Sequence, residues 1–389
     1  MRTYFGRAAL FSGLSFCLVA GPVFAVPPLL RVGVREGVPR VVVASSTAGT
    51  WYDASGRVIG HTEPLEGWSV SMTAGRGLSL RGSKGHTLAA RGSVRLVPSH
   101  TVEFPLVFAA SRWYRGTLEL KIAGSGIAAI NHVSVEAYLY GVVPAEMSAK
   151  WPAEALGAQA IAARSYALAN LGKHAKNGFD VCGTDECQVY RGAGIESLAS
   201  NSAVDATRGA VLTQAGKVLS AFFHASSGGY TENSEDVWFQ KLDHIRAVPD
   251  YDQNSPHYEW YKNVPAADLS SRLAHRGIRV GGVRELQTVS RSFSGRVRSV
   301  RVIGTRGTKE ISGETLRLAA GLRSTLFNMA PRGGAVGSPA EFAFAGRGWG
   351  HGLGMSQWGA RRLAEAGYTS EQILAHYYPG ARISRPSGP

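Results

Sequence analysis

Long apolar stretches are almost absent from this sequence of 389 residues. Outside its beginning, no run approaches the roughly 20 apolar residues that a membrane-spanning helix needs, which argues against an integral membrane protein. Charged residues are also scarce, at 18%, while hydrophobic residues reach 44%. This composition argues against a disordered chain or a coiled coil and predicts a large buried core in one or two domains.

The beginning of the chain is the exception to the lack of apolar runs. Arg2 and Arg7 precede an apolar stretch from about Ala8 to Ala20, and Ala25 ends a pattern of small residues typical of a cleavage site. Residues 1–25 are therefore predicted to be a secretory signal peptide, which implies an exported protein, periplasmic or associated with the cell wall. The alternative is a retained membrane anchor, which the shortness of the apolar stretch disfavours.

Acidic residues are few, 28 against 42 lysines and arginines, and the formal net charge is +14. A strongly basic exported protein favours polyanions as partners. Nucleic acid is not expected outside the cell, whereas anionic wall polymers and acidic sugars are present there. The alternative is that the arginines only keep the surface soluble.

Cysteine is rare, with three in the chain, one of them inside the predicted signal peptide. The remaining two, Cys182 and Cys187, form an even pair in an exported protein, which predicts a disulfide. The alternative is a metal site, because His174 and the pair Asp185-Glu186 lie close in the sequence. Their spacing matches no common zinc pattern.

Residues 26–125 are predicted to be rich in β-structure. Short apolar or alternating stretches are separated by turn formers such as Ala54-Ser55-Gly56. The strand-like stretches are Leu30 to Val34, Arg40 to Ala44, Leu78 to Leu80, Val94 to Leu96 and the alternating Leu118, Leu120 and Ile122. No cluster of polar side chains in this region indicates chemistry.

A helix is predicted from residue 151 to residue 174. Pro152 suits its first turn, Glu154 favours the positive end of the helix dipole, and alanines fill its interior. Very few charges interrupt the helix, so most of its sides should be buried, and its polar side chains need structural or ligand partners. These side chains are Gln159, Arg164, Ser165 and Tyr166.

The rest of the chain mixes strand and helix patterns. A second mixed region at 260–330 contains a basic, strand-like run, and Thr369 with Gln372 forms a capping-box pattern for the last helix. The basic run holds Arg291, Arg296, Arg298 and Arg301. Together these patterns predict an α+β fold, with mixed short strands packed around one or two central helices and a β-rich N-terminal region.

Four segments place polar or acidic residues beside glycines and aromatics: GVVPAEM (141–147), CQVYRG (187–192), HASSGGYTE (224–232) and GWGHGLGMSQWG (348–359). Ser226 beside His224 suggests a serine hydrolase, but no G-x-S-x-G nucleophile elbow is present. The glycine-rich loop suggests a phosphate cradle, but it lacks the G-K-[ST] ending of a P-loop.

Glu146 has an unusual setting among these segments. It follows the apolar run Val142-Val143-Pro144-Ala145 and precedes Met147. A carboxyl group in such surroundings has a raised pKa and can stay protonated near neutral pH, as a general acid must. The alternative is a carboxylate at a helix entrance that interacts with free amide groups.

In their order along the chain, these segments resemble a known family. The resemblance to the SpoIID/LytB family, named for a sporulation stage II protein and an amidase enhancer, covers about residues 126–380 and implies a catalytic domain over residues 126–385. It is carried by NHVSVEAYLYGVVPAEMSAKWPAEALGAQAIAARSYAL, FDVCGTDECQVYRG, AFFHASSGGYTENSEDVW and GRGWGHGLGMSQWGARRLAEAGYTSEQILAHYYPG.

The resemblance implies that the protein cleaves peptidoglycan. Active members are lytic transglycosylases that cut the bond between N-acetylmuramic acid (MurNAc) and N-acetylglucosamine (GlcNAc), preferably in strands without stem peptides, and leave 1,6-anhydroMurNAc ends. The catalytic acid of the family matches Glu146. Substrate-binding or supporting positions of the family match Gln159, Arg164, Ser165, Gln188, Tyr190, His224, Ser226, Gly228, His351, Gly352, Met355 and Gln357.

Some relatives hold zinc near the cysteine segment through two cysteines and two histidines. Here Glu186 immediately precedes Cys187, where those relatives have histidine. The resemblance therefore favours the disulfide between Cys182 and Cys187 and no cofactor, with zinc at these cysteines as the alternative.

A single carboxyl group is sufficient for the implied reaction. Ordinary glycosidases use two carboxyl groups, whereas in a lytic transglycosylase the C6 hydroxyl of the sugar attacks the anomeric carbon. We expect arginines such as Arg164 or the run at 291–301 to bind the lactyl carboxylate of a peptide-free muramic residue.

Two other functions are open from the sequence. One is a non-catalytic wall-binding module that enhances a cell-wall amidase. The other is a metal-dependent hydrolase that uses Cys182, Cys187 and His174. The expected partner in every case is the peptidoglycan glycan strand, with an amidase in the first alternative and no nucleic acid in any.

Overall fold

The computed structural model describes residues 29–73, 75, 77–238 and 240–385. The predicted signal peptide, residues 1–25, lies outside the described residues. Helices account for 24% of the structure and strands for 40%, which confirms the predicted α+β class with a β-rich N-terminal region. Among the described residues, no helix combines the length and the apolar character needed to cross a bilayer.

The N-terminal strands build two sheets that pack face to face. Trp51 lies in one sheet and Trp68 in the other; both are fully buried, and their ring centres are 5.6 Å apart. The strands are β1 (Leu30–Val38), β2 (Arg40–Ser45), β3 (Gly49–Asp53), β4 (Val58–Thr62), β5 (Trp68–Met72), β6 (Gly77–Gly82), β7 (Thr87–Arg91), β8 (Val94–Pro98), β9 (Leu106–Ala109), β10 (Arg112–Arg115), β11 (Thr117–Ala123), β12 (Gly126–Val133) and, from later in the chain, β13 (Val181–Cys182). The strand orders are β13-β1-β12-β11-β8-β3-β4 and β10-β9-β2-β5-β6-β7.

Each strand-like stretch that the sequence indicates in this region is a strand in the structure. The boundary predicted between residues 125 and 126 falls at the turn of the β11–β12 hairpin, and β12 also pairs with β1. One hydrophobic core contains side chains of these sheets together with side chains of the following helices. The two predicted regions therefore share a sheet and a core.

Three helices follow: α1 (Val135–Glu146), α2 (Ala153–Ala169) and α3 (Leu198–Ala206). Helix α1 is not predicted from the sequence. The Ser134 side chain caps it by accepting a hydrogen bond from the Ala137 amide at 3.3 Å, and Pro144 lies in its last turn. In α2 every residue from Ala155 to Ala167 is buried, as predicted.

The helix α2 is shorter than the predicted 151–174. It begins after Pro152, and it ends where the Asn170 side chain donates to the Tyr166 carbonyl at 2.8 Å. Gly172 then adopts a positive φ of 75°, which turns the chain away from the helix. The chain continues through β14 (Val211–Gln214), β15 (Lys217–Val218), β16 (Phe223–His224) and α4 (Ser234–Trp238).

Residues 259–347 form an inserted unit with its own hydrophobic core. Its first strand pairs with its last, Glu259 opposite Arg347, so the chain enters and leaves at adjacent points. The unit contains β17 (Glu259–Pro265), α5 (Ala266–His275), β18 (Val283–Arg291), β19 (Val297–Gly304), β20 (Gly307–Ser312), α6 (Gly313–Ala320), β21 (Phe327–Ala335) and β22 (Ser338–Arg347). It accounts for the second mixed region that the sequence indicates.

The chain then returns to the first core. The last elements are β23 (Met355–Ser356), α7 (Gln357–Glu365), α8 (Ser370–Tyr377) and β24 (Arg382–Ser384). The predicted capping box of the last helix is present, with Thr369 and Gln372 bonded reciprocally. Strand β23 pairs in parallel with β16, which places the segment just before Gln357 beside the one around His224.

Candidate functional site

Glu146 is the last residue of α1, and its carboxylate accepts two hydrogen bonds. The Val189 backbone amide donates to Oε1 at 2.9 Å, and Gln357 Nε2 donates to Oε2 at 3.2 Å. The three residues belong to three of the four polar segments, 141–147, 187–192 and 348–359. The fold therefore brings these three segments together at one carboxyl group.

Burial raises the pKa of Glu146, and the hydrogen bonds from Val189 and Gln357 partly oppose this shift. The residue lies at the C-terminal, negative end of α1, where a helix dipole disfavours a carboxylate. Among the described residues, no cationic side chain forms an ion pair with it. The alternative of a carboxylate at a helix entrance therefore does not describe its position, and the raised pKa suits a general acid.

The neighbouring residues Gln188 and Tyr190 are buried, and their side chains form hydrogen bonds within the protein. Gln188 donates to the Ala163 carbonyl at 3.2 Å and accepts from the Tyr138 hydroxyl at 3.1 Å. The Tyr190 hydroxyl donates to Asn131 Oδ1 at 2.9 Å. Both side chains therefore fix the position of the segment whose Val189 amide donates to Glu146.

Arg164 is fully buried and connects α2 to its neighbours. It forms a bidentate pair with Glu136 at 2.7 and 3.0 Å and also donates to the Ala210 carbonyl at 3.0 Å. The Ser165 hydroxyl donates to the Ile161 carbonyl at 2.6 Å and accepts from the Leu212 amide at 2.8 Å. The structure thus corrects the expectation that Arg164 binds a lactyl carboxylate, because its guanidinium is used inside the protein.

Gln159 differs from these neighbours on α2. It is fully buried, yet neither its amide oxygen nor its amide nitrogen has a hydrogen-bond partner within the described residues. The structure gives no reason for this orphaned side chain.

His224 and His351 lie close together, with ring centres 5.6 Å apart. Burial lowers the pKa of both, and that of His351 to about 3, so each imidazole is neutral at neutral pH. His224 Nδ1 lies 3.1 Å from the Leu353 carbonyl, which can only accept, so Nδ1 carries the proton. His351 Nδ1 accepts from the Leu353 amide at 2.9 Å, so the two rings position the glycine-rich loop.

Ser226 and Gly228 are held by a buried acidic residue that the sequence analysis does not identify. The Ser226 hydroxyl and the Gly228 amide both donate to Asp252 Oδ2, the amide at 2.8 Å. Asp250, two residues earlier, accepts from the hydroxyl of Tyr377 at 2.6 Å, and its burial beside Asp252 raises its pKa. The pattern Asp-Tyr-Asp in the sequence is the only local sign of this support.

The glycine-rich loop closes against a buried arginine. Gly352 has a φ of 86°, and a Cβ there would lie 2.7 Å from the Arg296 guanidinium, so this approach requires glycine. Arg296 donates to the Ser227 carbonyl at 2.6 Å. Met355 is fully buried, and its amide donates to the Tyr378 hydroxyl at 3.3 Å.

Arginines of the basic run in the inserted unit also form contacts within the protein. Arg291 donates to the Phe327 carbonyl at 3.0 Å, and Arg298 pairs with Asp236 at 3.1 Å. Arg296 is buried as described above. The expectation that this run binds a polyanion is therefore corrected for Arg296, whose guanidinium is buried, and stays a prediction for Arg291 and Arg298, which are exposed.

The structure differs from the predicted disulfide, because Cys182 and Cys187 are free thiols. The Cys182 amide donates to Cys187 Sγ at 3.1 Å, and His174 Nε2 lies 3.3 Å from the same sulfur. One ligand atom from each of these three residues lies within 4.8 Å of the others. Two sulfurs and one imidazole are a donor set that fits zinc, and Glu186 Oε1, 3.7 Å from His174 Nε2, is a candidate fourth ligand.

Three further residues, in the segments that follow Glu146 and Gln357, were not singled out from the sequence. Trp151 and Trp358 pack edge to face with ring centres 5.0 Å apart, and the Arg361 guanidinium lies over both rings. Trp358 directly follows Gln357. Only the aromatic residue in each of the stretches AKWPAE and SQWGA could have indicated the two tryptophans.

Comparisons with known proteins show which family the chain resembles. A family model described as stage II sporulation protein matches residues 123–214, and a domain of unknown function matches residues 205–354. The chain is 31% identical over 271 residues to stage II sporulation protein D of Bacillus subtilis, covering 66% of this chain and 76% of that protein. It is 31% identical over 273 residues to an uncharacterized protein of Brachyspira hyodysenteriae, covering 69% and 72%. It is 29% identical over 292 residues to the amidase enhancer of Bacillus subtilis, covering 63% of this chain and 40% of the enhancer.

Proposed function

The chain belongs to the SpoIID/LytB family, and from this premise we propose that it is an exported peptidoglycan lytic transglycosylase with Glu146 as its general acid and base. Membership of the family supports a role at the cell wall. The observation that carries the proposed reaction is the single carboxyl group of raised pKa, held by Val189 and Gln357 without a cationic partner.

The first step is protonation of the bond that breaks. The Val189 backbone amide can only donate to Oε1, whereas the side-chain amide of Gln357 also has an oxygen that can accept from Oε2, so the proton of the neutral acid lies on Oε2. Oε2 donates this proton to the glycosidic oxygen while the bond from that oxygen to the anomeric carbon of MurNAc breaks. The carboxylate that remains is stabilised by the two hydrogen bonds it already accepts.

The second step closes the ring. The C6 hydroxyl of the same muramic residue attacks its anomeric carbon, and its proton passes to the Glu146 carboxylate. The products are a 1,6-anhydroMurNAc end and a free GlcNAc hydroxyl, so no water is consumed and the acid is regenerated. One carboxyl group therefore suffices, in contrast to the pair that ordinary glycosidases need.

The other motif residues maintain the position of this carboxyl group. Gln188 and Tyr190 fix the segment of Val189, while His224 and His351 fix the loop that leads to Gln357. Pre-organisation of this kind matters because a misplacement of about 1 Å can lower a rate by roughly 100-fold. A zinc ion held by Cys182, Cys187 and His174 would supply a structural cross-link beside the same segment.

A second function is favoured by one of the comparisons, since a relative is named amidase enhancer. In that function the chain binds wall material and stimulates a separate amidase without cleaving glycan. Family membership and the basic net charge of +14 fit either function. The setting of Glu146 favours the transglycosylase, because a binding module has no need of a carboxyl group with a raised pKa.

Product analysis distinguishes the two functions. The purified protein is incubated with peptide-free glycan strands, and the products are analysed by mass spectrometry. The transglycosylase yields 1,6-anhydroMurNAc ends. Unchanged glycan, together with sedimentation on wall material and stimulation of an added amidase, would instead establish the enhancer.

A further inference from the structure

A pair of tryptophans forms a ridge on the surface beside the proposed acid. Trp151 and Trp358 are each half-buried, so part of each indole faces solvent. Their rings meet at 65° with centres 5.0 Å apart. Neither indole N–H donates a hydrogen bond within the described part of the chain.

The ridge is tied to Glu146 from two directions. Trp358 directly follows Gln357, whose side chain is bonded to the Glu146 carboxylate at 3.2 Å. Trp151 lies at the end of the short connection that leaves α1 after Glu146, and its amide donates to the Ser148 carbonyl at 3.0 Å. The indoles therefore join the segment that follows Glu146 to the segment that follows Gln357.

A guanidinium group lies against the ridge. The Arg361 guanidinium lies 4.9 Å from the centre of the Trp358 ring and 5.5 Å from that of Trp151. Arg361 and Arg362 share one carboxylate, Glu365, at 2.7 and 4.0 Å. Asp252 borders the same cavity as Trp358, so two cations face two acidic residues there, and Arg361 is the guanidinium donor that lies against both rings.

Each indole borders a cavity. Trp151 borders one of about 620 Å³ between the starts of α2 and α8, a size within the range of ligand sites. Trp358 borders a smaller one of about 80 Å³, where Asn254 and Ser255 offer amide and hydroxyl groups beside Arg361. Glu146 lines neither cavity, so what links the ridge to the carboxyl group is the chain itself, through Gln357 and through residues 147–150.

We infer that Trp151, Trp358 and Arg361 form a binding subsite for an aminosugar unit of the glycan strand next to the bond that Glu146 cleaves. The inference rests on the proposed function. The apolar C–H face of a pyranose ring packs on an indole, and an indole N–H without a partner in the protein donates to a sugar hydroxyl. The lactyl carboxylate of a peptide-free muramic residue lies against Arg361.

The test measures binding without turnover, in the full chain carrying Glu146→Gln. Two soluble probes are used: the GlcNAc tetramer, which has no carboxylate, and short peptide-free MurNAc–GlcNAc strands. Trp151→Ala and Trp358→Ala should each weaken both probes by about tenfold or more, the usual effect of removing an anchoring tryptophan. The corresponding Trp→Phe variants, which keep an aromatic ring, should recover most of this loss.

Arg361→Gln separates the charge from the stacking. It should weaken the MurNAc–GlcNAc strands by about 1.5-fold to fivefold, the range of a single exposed ion pair, and leave the GlcNAc tetramer unchanged. It alters a partly exposed side chain, so this part of the test stands even where an indole variant does not fold. The matched control is Trp113→Ala in β10, a half-buried tryptophan packed 5.2 Å from Phe108, which should bind both probes as the parent does.

Failure of this inference is distinguishable from failure of the proposed function. Alanine variants that are folded and bind both probes as tightly as the parent would overturn the subsite, even where the wild type produces anhydro ends. A wild type that produces none, while binding still depends on the two indoles, would overturn the transglycosylase and leave the subsite in place.

Discussion

The side-chain nitrogen of Gln357 lies 3.2 Å from Oε2 of Glu146, and this contact joins the end of α1 to the beginning of α7. The two residues are 211 positions apart in the sequence. The inserted unit, residues 259–347, lies between them in the sequence, and only the tertiary fold brings the two side chains together. The contact tunes as well as positions the carboxyl group, because a donor stabilises its charged form.

Removal of this donor should shift the pH dependence of glycan cleavage. The Gln357 hydrogen bond lowers the pKa of Glu146, so Gln357→Leu raises it further. The acid then stays protonated to a higher pH, and the basic limb of the profile of kcat/KM against pH moves to higher pH. The maximal rate should fall about tenfold because the carboxyl group is less well positioned.

The matched control for this variant is Gln287→Leu. Gln287 also donates to a glutamate, Glu285, at 2.8 Å, but on the exposed face of the inserted unit. It should leave the pH profile unchanged. An unshifted basic limb in Gln357→Leu would contradict the assignment of that limb to Glu146.

Arg164 should act on stability. Arg164→Met leaves the carboxylate of Glu136, whose side chain is 16% exposed, without its bidentate partner. The expected loss is about 3–5 kcal/mol in the free energy of unfolding, measured by urea denaturation. The surface pair of Arg208 with Asp205 is the control, and Arg208→Met should lose about 0–1 kcal/mol.

If Arg164 instead binds substrate, the result would be different. Arg164→Met would then unfold at the wild-type urea concentration and show a raised KM on glycan strands. That outcome would restore the role that the sequence analysis expects for this residue.

The cysteine cluster should retain a metal. Protein purified without chelator is expected to contain about one zinc per chain, because two free thiols and His174 Nε2 present a suitable donor set. Cys187→Ser should lose the zinc and melt at a lower temperature. A zinc content near zero with an oxidised cysteine pair would instead support the disulfide that the sequence predicts.

Local patterns were sufficient to predict much of the fold. The alternation of Leu118, Leu120 and Ile122 predicts β11, and the alanine-rich stretch after Pro152 predicts a buried α2. Such patterns report which side of an element meets the core. The helix α1 could not be predicted in this way because its valines and Pro144 are poor helix formers. Tertiary packing overrides that preference in the folded protein.

The roles of individual site residues were harder to predict. Glu146 could be identified from its apolar neighbours, and its position in the structure fits that interpretation. The sequence could not show that Arg164 and Arg296 are buried within the fold, since their partners lie on distant segments. The tryptophan ridge depends equally on a long-range contact, because Trp151 and Trp358 meet only after α7 packs on α2.

The most direct test of the account is the release of 1,6-anhydroMurNAc ends by the wild type, Glu146→Gln and the control Glu310→Gln, which changes an exposed glutamate of β20. All three proteins are incubated with peptide-free glycan strands, and the ends are counted by mass spectrometry. We predict anhydro ends from the wild type and from Glu310→Gln, and a loss of at least about 1000-fold in Glu146→Gln, since its amide cannot donate and recover a proton in the same way. Equal numbers of anhydro ends from Glu146→Gln and the wild type would contradict the central role of Glu146.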